Sequence, residues 1–184
     1  MDEREAALRG TGLLDGLLAT LMERKRYTLR QAEEWVAAMG GDCPTCRVYA
    51  ELQEACAPRI LVEKTPANAN HPSFMPRAEV LFARAHYVHL IRHPHASILS
   101  ALELRRDVLG DLAATPAEAE QGWVDANINV QGFLRGLPTR SKSMSLRFEA
   151  LVQDPAAATR RICELLTIPW QAGMAMPHVS AACH

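Results

Sequence analysis

The sequence predicts an α/β fold in which a short parallel sheet is flanked by helices, within one domain spanning residues 1–184. Three observations predict it. Two apolar, β-prone runs, Ile60-Leu61-Val62 and Tyr87-Val88-His89-Leu90-Ile91, are separated by residues 72–85, where Phe74, Met75, Val80, Leu81 and Phe82 recur at helical spacing. Strand, helix, strand is a βαβ unit, whose crossover lays two strands parallel and brings both carboxyl ends to one edge of the sheet, where open α/β folds bind ligands. Finally, 184 residues with 48% hydrophobic content suffice for a single core.

The elements follow in order. The first forty residues are helical, with Leu13, Leu14, Leu17, Leu18 and Leu21 on one face, then Thr28 as the cap of a helix over 29–39 that Gly40 and Gly41 end. A short helix over 45–55 is broken by Ala57-Pro58 ahead of the first apolar run. Beyond the second run, Pro94 opens a helix carrying Ile98, Leu99, Leu102, Val108 and Leu109, with Gly110 as its stop. The polar stretch 111–120 leads into a helix holding Trp123, Ile128, Val130 and Phe133, ended by Pro138. Residues 143–148 alternate as a third strand, and 155–166 form a closing helix with Pro155 in its first turn. The tail from Pro169 is irregular.

Charge and composition exclude several classes of function. Lys plus Arg number 20 and Asp plus Glu 21, a net charge of -1, so no global field draws the chain to nucleic acid or to an anionic membrane, and any anion site is local. No run of about 18 apolar residues exists, and the amino terminus MDEREAALRG is charged where a signal peptide is apolar, which predicts a cytoplasmic protein. Five cysteines, an odd number, predict reduced thiols in place of a disulfide framework.

The residues that carry chemistry cluster at the predicted ligand edge. Arg92 ends the second strand in His89-Leu90-Ile91-Arg92-His93-Pro94 and precedes a helix bearing Ser97 and Ser100. A guanidinium there can grip two oxygens of an anion, and a helix amino terminus adds unpaired N–H groups and a positive dipole end. The competing reading, on spacing alone, is that Arg92 pairs with a carboxylate and Ser100 packs inward. Lys64, in Val62-Glu63-Lys64-Thr65-Pro66, stands at the end of the first run and is either a compact cation beside the same anion or a solvated surface residue.

Arg92, Pro94 and Ser100, a strand-end R-x-P with a serine eight residues after the arginine, resemble the 3'-phosphate-binding motif of the PAPS (3'-phosphoadenosine-5'-phosphosulfate) sulfotransferases. Glu63-Lys64-Thr65-Pro66 and Arg147-Phe148-Glu149-Ala150-Leu151-Val152-Gln153-Asp154-Pro155 are similar to two further blocks of that family, in the same order along the chain. The resemblance covers roughly residues 8–170, and the cadence from Ile60 to Ser100 is similar to the sulfotransferase domains of bacterial polyketide synthases. It implies a three-layer, P-loop-NTPase-like fold and transfer of a sulfuryl group from PAPS, as co-substrate, to a hydroxyl. The acceptor would be a small molecule or an acyl chain on a carrier protein, and no metal is called for. By resemblance Arg92 and Ser100 bind the 3'-phosphate. Lys64 lies near the sulfuryl group, where it can balance charge on the bridging oxygen as the bond breaks. His71, in the loop toward the acceptor, is the candidate base, since imidazole titrates near neutrality. His86, His89, His93 and His95 compete for that role, and His89 is expected to point into the sheet.

The sequence departs from the family in one respect. The glycine- and serine-rich loop that cradles a 5'-phosphosulfate after a first strand has no counterpart, since Gly10-Thr11-Gly12 follows no strand and lacks the spacing. The expectation is therefore a domain truncated at its amino end, lacking its first strand, whose own turnover is in doubt. The alternatives are an inactive remnant that binds nucleotide or a partner, or another nucleotide-dependent phosphoryl transferase. Cys43-Pro44-Thr45-Cys46 lacks a second ligand pair for zinc and the strand before it that a redox motif requires.

Overall fold

The computed structural model describes residues 13–40, 44–65, 67–82, 84–109, 115–139 and 142–176. The chain gathers into two compact units, Met1–Lys64 and Thr65–His184. Gly41, Cys43, Gly110 and the stretch 177–184, to which the sequence assigned stops, a thiol and a tail, lie outside the described residues.

The first unit is helical: α1 (Leu13–Lys25), α2 (Leu29–Ala38) and α3 (Thr45–Cys56). Leu17, Leu21, Ala32 and Leu52 are its buried core, with Trp35, Val48, Tyr49 and Leu61 packed around them. Thr28 caps α2 as expected: its hydroxyl accepts from the Gln31 N–H while Gln31 returns a bond to the Thr28 N–H, a capping box contributing about 1 kcal/mol. Arg24 reaches from α1 to the end of α3, donating through Nε to the Ala55 carbonyl at 2.9 Å and through Nη2 to that of Ala57 at 3.1 Å, and so satisfies carbonyls that the helix end leaves free.

The run Ile60-Leu61-Val62 is not a strand. It is irregular chain: Leu61 packs against the helical core while Ile60 and Val62 are exposed. An extended segment becomes a strand only where a neighbour completes its ladder, and no described residue pairs with this one. The predicted βαβ unit over 60–91 is therefore replaced by a later crossover.

The second unit continues with α4 (Ala67–Asn70), α5 (Met75–Leu81), β1 (His86–Ile91), α6 (Pro94–Leu109), α7 (Pro116–Arg135), β2 (Lys142–Arg147), α8 (Phe148–Gln153) and α9 (Pro155–Leu166), ending in a 3-10 turn over Ala172–Ala175. β1 and β2 pair in parallel, joined through α6 and α7. Half of the polar stretch before Trp123 is helix, because Thr115 and Glu118 form a second capping box and Pro116 occupies the first turn. Phe148, expected in the third strand, instead opens a helix.

One helix covers each face of the sheet. On the α7 side, Tyr87 meets the Phe133 ring edge-on at 5.0 Å, and His89 is bonded to Asn127. On the opposite face Leu146 of β2, the strand against which α9 packs, is buried, while its partner in the register, Leu90, remains 47% exposed. The result is a small three-layer arrangement with a sheet of two strands among the described residues. α9 is capped at its amino end by Asp154, which accepts the Ala157 N–H at 2.9 Å, and is tied within its first half to Trp170, whose Nε1 donates to Thr159 Oγ1 at 2.9 Å.

Candidate functional site

Both strands run directly into helices at the same edge of the sheet. Ile91 and Arg147 are register partners, so the residues after them, Arg92 and Phe148, leave the sheet side by side. The Arg92 guanidinium lies over the Phe148 ring, 5.4 Å from its centroid, held by the attraction of a cation for an aromatic face. Among the described residues no carboxylate forms an ion pair with Arg92, which is exposed. The reading of Arg92 as half of a structural salt bridge finds no partner among the described residues.

The first turn of α6 supplies further donors. Pro94 has no N–H to satisfy, and the Ser97 N–H is the first to find a carbonyl of its own turn, that of His93 at 3.0 Å. The N–H groups of His95 and Ala96 are thus left without intrahelical acceptors beside Arg92. Arg92, Ala96, Phe148, Glu149, Val152 and Gln153 line an open groove of about 380 Å³. Ser100 does not line it. It is exposed on α6 four residues beyond Ala96, on the same helix face one turn further along.

Glu149 enters this corner from the second strand. Its Oε1 accepts the backbone N–H of His93 at 2.8 Å. That hydrogen bond, followed by one from its own N–H and by the nearby charges of His93 and Arg147, holds the carboxyl below the usual glutamate range. The carboxylate is therefore ionised at neutral pH yet engaged with an amide, leaving the guanidinium beside it free.

Beneath the corner, His89 is buried in mid-strand, as the sequence suggested. Asn127 Nδ2 donates to the Trp123 carbonyl at 2.8 Å, so its Oδ1 is the acceptor and His89 Nε2–H the donor at 3.1 Å. Nδ1 is left buried without a partner. Burial pushes the imidazole pKa down, with the Asn127 bond opposing it, so His89 is a neutral packing residue.

The other sequence candidates do not line the groove. His71 follows α4, exposed, with its ring 4.9 Å from that of Phe74, over which Arg77 also sits at 5.3 Å. Lys64 is the exposed last residue of the first unit. Cys46 of the C-x-x-C is exposed at the start of α3. In the sequence Phe148 closes the predicted third strand, and Glu149 stands only in the block shared with the family. Their partnership with Arg92 and His93 is set by strand register, and the visible signal for it was an aromatic and a carboxylate directly after a second strand.

Comparison with known proteins bears on this geometry. The sulfotransferase domain from the curacin biosynthetic pathway superposes with a TM-score of 0.78 at 31% identity, covering 87% of this chain and 57% of that one. The sulfotransferase domain from the Synechococcus PCC 7002 olefin synthase gives a TM-score of 0.80 at 29% identity, covering 94% of this chain and 60% of that one. The chain thus spans less than two-thirds of either solved domain. No curated protein shows a significant sequence match. The model of the sulfotransferase family matches residues 12–172, nearly the whole chain, and the chain belongs to that family.

Proposed function

We propose that this chain carries the 3'-phosphate-gripping part of a PAPS-dependent sulfotransferase, which transfers a sulfuryl group to the hydroxyl of an acyl chain held on a carrier protein. One observation carries the reading: Arg92 stands at the carboxyl edge of the sheet with no carboxylate paired to it among the described residues, beside the open N–H groups of α6. The residues suit a phosphate. A planar guanidinium offers two parallel donors, the helix terminus adds amides, and Ser100 offers a hydroxyl on the same helix face. In the reaction the acceptor oxygen attacks sulfur, the bond from sulfur to the bridging oxygen breaks, and the adenosine bisphosphate leaves. His71 takes the hydroxyl proton, and the Lys64 ammonium balances charge on the departing oxygen. The Lys64 assignment follows the family resemblance, and that of His71 rests on its place in the loop after Lys64 and on the chemistry of imidazole. Membership in the sulfotransferase family leaves the phosphoryl-transferase alternative without support.

Calorimetric titration with 3'-phosphoadenosine-5'-phosphate tests the reading without an acceptor. Binding at micromolar strength, about 8 kcal/mol, is expected. A folded chain that binds no nucleotide would overturn it. A second reading is nucleotide binding by this chain without turnover. Transfer of label from sulfur-labelled PAPS to a β-hydroxyacyl pantetheine separates the two: label in the thioester means turnover, and binding without label means a half-site.

A further inference from the structure

We propose that Glu149 is a positioning residue: by accepting the His93 N–H it clamps the turn that aims Arg92, and so sets nucleotide affinity without touching the nucleotide. This rests on the reading of Arg92 as the phosphate grip. The placement of Glu149 is otherwise hard to explain, because a carboxylate on the rim of an anion groove repels the ligand and lowers its affinity. The geometry shows what offsets that. Arg92 and His93 are the only residues between the end of β1 and Pro94, where α6 begins, so fixing the His93 amide fixes the backbone on which the guanidinium is carried.

Glu149 reaches that amide from the other strand, across 56 residues of sequence, at 2.8 Å. Its neighbour Phe148 meanwhile supports the guanidinium from one side at 5.4 Å. Two consecutive residues of one strand end therefore hold two consecutive residues of the other, one through the backbone and one through the side chain. The clamp also determines which donors an incoming anion meets. The His93 N–H is already taken, so the ligand finds the guanidinium and the amides of His95 and Ala96. Were Glu149 instead to pair with Arg92, the corner would be neutralised, and its diversion to the amide prevents this.

Two substitutions separate the hydrogen bond from the charge. Glu149→Gln keeps a carbonyl acceptor at the same reach and removes the negative charge, whereas Glu149→Ala removes both. The readouts are calorimetric affinity for 3'-phosphoadenosine-5'-phosphate and the amide proton shift of His93 in nitrogen-15 correlation spectra. For Glu149→Ala, affinity is expected to fall about tenfold, the cost of one charge-assisted hydrogen bond, with the His93 resonance moving upfield. For Glu149→Gln, affinity is expected to match or exceed that of the native chain, with a smaller movement of the resonance. Affinity in Glu149→Ala that is unchanged or tighter, while Arg92→Ala strongly weakens binding, overturns the positioning role alone. Unchanged binding in Arg92→Ala, or no binding by the folded native chain, overturns the phosphate-site reading and the positioning role with it. A His93 resonance identical in all three proteins would show that the clamp itself does not form.

Discussion

The two strands of the sheet end at the same edge and turn into helices with at most two residues between, yet the corners they make carry opposite chemistry. After β1 come Arg92 and His93 and then a helix of 16 residues opened by Pro94; after β2 come Phe148 and Glu149, opening a helix of 6. The first corner offers a cation, unpaired amides and the positive end of a long row of aligned peptides. The second offers a ring and a carboxylate, and both are turned onto the first corner. One strand end grips and the other braces. An anion site on a parallel edge need not be built from a single loop, since parallel pairing delivers two strand ends to one place.

The largest effect comes from breaking the gripping corner. Arg92→Ala is expected to reduce nucleotide affinity about 100-fold, the loss of a bidentate charge-assisted pair, with an unchanged circular dichroism spectrum because the residue is exposed. Arg92→Lys should fall between, since a lysine keeps the charge and loses the planar fork. If the alanine variant bound as tightly as the native chain, the assignment of grip and brace to the two corners would fail.

Much of this edge was legible in the sequence. Helical periodicity together with Thr28, Pro94, Pro138 and Pro155 located most of the helices, because capping and proline geometry are local. β1 was legible because a β-branched and aromatic run stops just ahead of Pro94. Arg92 at its end was legible for the same reason. What failed was what depends on partners distant in sequence. Ile60-Leu61-Val62 has the composition of a strand, but no described residue completes its ladder, and Leu61 serves a helical core instead. Phe148 satisfied the alternation of a strand yet starts a helix. The role of Glu149 depends on contact with a residue 56 positions away, which no periodicity encodes.

The comparison sharpens one layer below the edge. In the register His89 of β1 faces Ser145 of β2; the histidine is buried beneath α7 while the serine is exposed. With its pKa lowered by burial, His89 stays neutral in the fold, whereas the unfolded chain takes up a proton below about pH 6.5. The native state therefore binds fewer protons than the unfolded one in that window. Stability is full above the ordinary histidine value and falls as pH drops below it, by at most about 1.4 kcal/mol per pH unit from this residue. Urea unfolding at a series of pH values from neutral downward should show the slope, and His89→Gln, which keeps a side-chain donor for Asn127 and cannot titrate, should reduce it. Equal slopes in the two proteins would mean that the histidine is hydrated in the fold.

The smallest effect isolates what the ring of the bracing corner adds. Phe148→Leu retains an apolar side chain at the start of α8 and removes the aromatic face beneath Arg92. At an exposed site such a contact is worth about 0.5–1 kcal/mol, so nucleotide affinity should weaken by roughly two- to fivefold, visible by calorimetry against the native chain. The effect should nearly vanish in an Arg92→Ala background, because the ring acts on the ligand only through the guanidinium. A loss of equal size in both backgrounds would instead mean that Phe148 meets the nucleotide directly, which would make the second corner part of the grip.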